Sequence, residues 1–139
     1  MRPVLLLFLL SICACSPSTE NLSSLASQQF RESGETEESW LHDGKLHFSN
    51  ALEWQKASFQ NKRSTASDFL LALNEQDRLS IDVSSNNSLK KHSEELVISL
   101  NEQFKIIGPA AENTKQYQNQ LVSDAVVLVA SQKGWLQNV

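Results

Sequence analysis

From Ala51 to Leu79 the chain runs without a single Gly or Pro, and its large apolar residues recur at helical intervals. Leu52, Phe59, Ala66 and Leu73 fall seven apart, with Trp54, Phe69 and Leu70 on overlapping faces. A stretch of this kind can bury a stripe only as helix, because strand pairing needs a period of two. The reading is either one long helix, which we favour, or two helices broken near Asn61–Thr65 with Ser64 capping the second. Asn50 followed three residues on by Glu53 reads as a capping box at its start. Four Gly and three Pro among 139 residues also argue against a turn-rich all-β fold, and 40 % apolar content argues against a wholly disordered chain.

The remainder of the C-terminal part reads the same way. Ser80–Asn87 breaks the pattern, and Ser88 is placed to cap a helix through Leu89, Leu96, Val97, Leu100, Phe104 and Ile107 that Gly108-Pro109 ends. A last helix is expected over Ala111–Gln132. Its apolar run Ala125–Ala130 could be a short strand, but Tyr117, Leu121, Ala125, Leu128 and Gln132 continue a helical frame better. Ahead of these, Trp40–Phe48 carries Asp43-Gly44, a turn signal that fits a small hairpin or an ordered turn. The expected fold is therefore all-α, a small three- to four-helix bundle over residues 40–139, with a short hairpin near residues 40–48 as an option.

The N-terminal residues carry an address. Arg2 precedes an almost unbroken apolar run, Val4–Ala14, of 11 residues. As a helix this covers roughly 17 Å, about half of a ~30 Å hydrocarbon core, so it reads as the apolar region of an export signal. Ile12 is unsuited to ordinary signal peptidase cleavage after Ala14. The segment Ile12-Cys13-Ala14-Cys15 instead resembles the bacterial lipobox, and Cys13 fits less well because the bulky Ile12 immediately precedes it. The resemblance implies a bacterial lipoprotein in which residues 1–14 are a signal peptide and Cys15 takes lipid as the first of 125 mature residues. In the enterobacterial sorting pattern Ser16, where an Asp would retain the protein in the inner membrane, implies the outer membrane. Two or three acyl chains at about 0.8 kcal/mol per buried CH₂ anchor a protein stably where one does not. Cys13 would leave with the signal and Cys15 would be blocked, which excludes cysteine chemistry from the mature domain.

Residues 15–39 then form the lipidated cysteine and a spacer. Ser16–Ser39 is rich in Ser, Thr, Glu, Asn and Gln, and five Glu against Arg31 give it a net charge of −4. Its few large apolar groups, Leu22, Leu25 and Phe30, bury too little to offset backbone ordering, with a short helix through Leu22–Phe30 as an option. A flexible tether of roughly 25–30 Å is expected. Residues 40–139 carry 10 basic and 11 acidic groups, so no basic field suits nucleic acid.

Chemistry-bearing patterns are sparse. His42, His47 and His92, with Asp43, are the only conceivable metal set, and their spacing has no geometric merit for a tetrahedral site. Serines are numerous, but no nucleophile-elbow motif supports a Ser-His-Asp arrangement. Glu37/Glu38 fall in the spacer, and Glu94/Glu95 read as solvated partners of Lys90 and Lys91. No cofactor is expected. Trp54 reads as core, whereas Trp40 and Trp135, near the domain ends, either pack inward or bind a partner. The stretch Trp54–Phe69 faintly resembles a segment of small exported proteins of Gram-negative bacteria, without implying an activity. Its Gln55, Gln60, Asn61 and Asp68 form either a solvated face or a hydrogen-bonded one.

The functional expectation is a non-catalytic binding or accessory module, held at the envelope by lipid on Cys15 and engaging an envelope protein through an apolar groove between helices. Small helical pilotin lipoproteins are similar in general plan only, and an exclusion or inhibitor lipoprotein is an equal version. The rival is a small periplasmic hydrolase, or a lipid- or metabolite-binding protein using a groove near Ala125–Ala130.

Overall fold

The computed structural model describes residues 40–137; the expected signal, Cys15 and the spacer lie outside the described residues. Five helices follow in order: α1 Ala51–Lys56, α2 Phe59–Glu75, α3 Asn86–Gln103, α4 Ala110–Tyr117 and α5 Val122–Gln132. No strand occurs among the described residues, so the fold is all-α there. None of these helices is long and apolar enough to cross a membrane.

The count exceeds the three or four expected because two stretches that read as continuous are each divided. The Ala51–Leu79 stretch breaks at Ala57–Ser58, where the Ser58 hydroxyl accepts the Asn61 amide at 3.3 Å and starts α2. Ser64 is not a cap. It is buried, and its hydroxyl donates to the Trp40 carbonyl at 3.0 Å. The Ala111–Gln132 stretch breaks at Gln118–Leu121 with neither Gly nor Pro present. Tertiary pairing compensates this break. The Val122 amide donates to the Ser49 carbonyl at 3.0 Å and the Ala51 amide to the Gln120 carbonyl at 2.8 Å. Each bond satisfies a first-turn amide that its own helix leaves without a partner.

Other boundaries move for equally local reasons. The α3 cap is Ser85, whose hydroxyl accepts the Ser88 amide at 3.2 Å, while the Ser88 hydroxyl is taken by the Asp82 carbonyl. The same helix stops at Gln103 rather than at Gly108-Pro109. Buried Phe104 caps it, edge-on to Tyr117 at 6.1 Å, and Ile106 and Ile107 stand exposed in the connection. Pro109 then caps α4. The predicted capping box holds: Asn50 accepts from the Leu52 and Glu53 amides, and the Glu53 carboxylate accepts the Asn50 amide at 2.9 Å.

The hairpin near residues 40–48 does not form. The segment instead lies as an irregular strap on α2, with the Leu46 amide donating to Thr65 Oγ1 at 3.3 Å. The left-handed conformation falls on Asp43, φ 75°, not on Gly44. Around the antiparallel α2–α3 hairpin the core gathers Leu70, Leu73, Leu96, Val97, Leu100 and Trp54, and α5 closes it with Val122, Val126, Val129 and Ala130. A second bridge, Ser80 amide to Trp135 carbonyl at 2.8 Å and Gln137 amide to Arg78 carbonyl at 2.9 Å, fastens the end of the described chain beyond α2.

Candidate functional site

The three tryptophans are turned inward. Trp54 is 1 % exposed and its indole N–H donates to Asn101 Oδ1 at 3.0 Å. Trp40 and Trp135, the two weighed for partner contact, are 8 % and 7 % exposed. Both pack on the first half of α3 without being brought together there: Lys90 lies 6.0 Å over the Trp40 ring, and His92 meets the Trp135 ring edge-on at 5.2 Å. Arg63 fills the space between Trp40 and exposed Phe59, its guanidinium carbon 5.4 and 5.5 Å from the two rings.

The histidines do not converge. His47 Nε2 is 3.0 Å from Asp68 Oδ2, beside Phe69, and His92 is 3.9 Å from Glu95. His42 lines a separate polar depression of about 450 Å³ with Asp43, Lys45, Ser58, Gln60, Asn61 and Ser64. Ser58 caps α2 there, Asn61 accepts the Lys45 amide at 2.8 Å, and Ser64 holds Trp40. Asn61 and Ser64 thus seat the strap on α2, and Ser58 starts that helix. Among the described residues no group of three or more His, Cys, Asp or Glu could hold a metal ion.

The remaining polar residues also serve internal contacts. Glu94 pairs across the helix interface with Arg63 at 3.3 Å, not with Lys90 as its spacing suggested. Gln55 and Asn113 exchange two amide bonds of 2.8 and 3.1 Å, and Gln55 also donates to the Phe104 carbonyl at 2.9 Å. Asn61 and Asp68 therefore form a hydrogen-bonded face against the strap, to Lys45 and His47, while Gln55 faces Asn113 instead. Lys62 lies over Trp54 and donates to Asn101 Oδ1 at 3.0 Å; loss of water around its ammonium lowers its pKa.

What does stand open is the seam between α3 and α5. Two depressions lie along it. The larger, about 550 Å³, is lined by Ser99, Gln103, Leu128, Val129, Gln132 and Lys133. The smaller, about 230 Å³, adds Asn119, Gln120, Leu121, Asp124 and Ala125 to the shared Gln103 and Leu128. Leu128 is therefore a ridge between two hollows. It is 47 % exposed, Leu121 is 44 % exposed and neighbouring Val127 39 %.

The trough carries a charge at each end, Asp124 in the first turn of α5 and Lys133 at its C-cap. Nine residues of helix separate them by roughly 13–14 Å, too far for one acid–base pair to act on a common atom. The Ser99 hydroxyl is tied to the Glu95 carbonyl at 3.1 Å. The arrangement suits surface recognition by apolar ridges and terminal charges. Leu121 and Leu128 belong to the helical frame legible in the sequence, and the exposed polar positions Asp124 and Ser131 lie on the same side of it. Comparison with protein-family models, curated proteins and solved structures finds no match for this chain.

Proposed function

We propose that this protein is a small lipid-anchored component of the bacterial envelope that works without catalysis, as a tethered module that docks another protein. In this reading residues 1–14 are removed, Cys15 carries the lipid, residues 16–39 form a flexible acidic tether, and the helical domain docks its partner through the α3–α5 trough. The sequence of Arg2, Val4–Ala14 and the Ile12–Cys15 lipobox supports the anchor. One observation carries the docking role: Leu121 and Leu128, seven residues apart and so at nearly the same azimuth, remain exposed at the α3–α5 seam, while all three tryptophans are buried. A folded domain that could have turned leucine inward and leaves two of them seven residues apart on its surface presents a recognition ridge of the helix-packing type.

The test is a photo-cross-linking residue placed in the full chain at Leu128 or Leu121, with exposed Glu75 as the control position. Adducts to a discrete protein at Leu128 and Leu121, absent at Glu75, are expected in intact envelopes. Adducts at Glu75 alone, or none at any position, would overturn the docking role.

A further inference from the structure

We draw no further inference here: the strongest candidate, the exposed apolar surface patch of Leu121 and Leu128 along the α3–α5 seam, belongs to the site already described, and nothing in the structure shows what covers it.

Discussion

A methyl group at position 44 would sit 2.4 Å from Thr65 Cα and 2.5 Å from the Thr65 amide nitrogen, backbone atoms of α2 that cannot move aside alone. Gly44 is thus the point where the strap of residues 40–48 touches the helix, and its missing side chain is what lets the Leu46–Thr65 and Trp40–Ser64 bonds close. Gly44→Ala should lift the strap and destabilise the domain by about 1–3 kcal/mol, the usual cost of overpacking. Urea unfolding followed by tryptophan fluorescence measures it, with Trp40 losing its buried signal first. The Asp43-Gly44 pair is legible in sequence as a turn, but the hairpin it suggests needs a second strand, and here the segment spends its polar groups on α2. A second residue of this kind is Asn113. Its amide serves Gln55 twice and accepts the Ile107 amide at 3.3 Å, joining α1, α4 and the α3–α4 connection. Asn113→Ala leaves the Gln55 side chain and the Ile107 amide without that partner and should cost about 1–3 kcal/mol, read as a lower urea midpoint at unchanged slope.

Helix ends in this protein are set by side-chain oxygen atoms more than by Gly or Pro, and this divides what the sequence discloses from what it conceals. Asn50 and Glu53 stand three apart before an apolar run, a pattern specific enough to be read directly, and both bonds of the box are present. Asn50→Ala should cost about 0.5–2 kcal/mol, and hydrogen exchange should quicken at the Leu52 and Glu53 amides. Ser58, Ser64, Ser85 and Ser88 are all eligible caps by residue type. The tertiary environment chooses between them, since Ser64 is claimed by Trp40 and Ser88 by Asp82. The break between α4 and α5 is less legible still, because its stabilising bonds come from Ser49 and Gln120, segments about seventy residues apart in the chain. Asp82 belongs to the α2–α3 connection, where the Ser84 hydroxyl, and with it the Ser84 amide at 2.9 Å, hold the carboxylate below its ordinary pKa. A lowered carboxylate pKa contributes stability above the ordinary carboxylate range, and loses it as pH falls through the lowered value. Asp82→Asn should therefore flatten the acid limb of a stability–pH curve below about pH 4, and an unchanged limb would show that this turn does not respond to acid.

At the scale of the whole molecule, the all-α architecture was readable from periodicity, whereas the trough was not. Leu121, Ala125, Leu128 and Gln132 continue a helical frame in the sequence, but α5 buries Val122, Val126, Val129 and Ala130, and the frame turns partly outward. Rotation of one short helix about its axis decides whether a leucine is core or contact, and a helix apolar all round gives no signal for that rotation. The proposed anchor and the proposed docking role then become physically linked. Lipid on Cys15 would confine the domain to a membrane surface, and a contact made through a small apolar trough gains most from such a rise in effective concentration. Mass spectrometry of the mature protein should find an acylated N-terminus at Cys15, and a mature N-terminus elsewhere would sink the anchor. Cys15→Ala should move the protein out of the membrane fraction, and it should lower the yield of the photo-adduct from Leu128 by tenfold or more. The residual adduct should keep its dependence on position, present at Leu128 and Leu121 and absent at Glu75, because the trough itself is untouched. An unchanged adduct yield after release from the membrane would mean that the trough contact is strong enough to form without confinement, and that the lipid serves location alone.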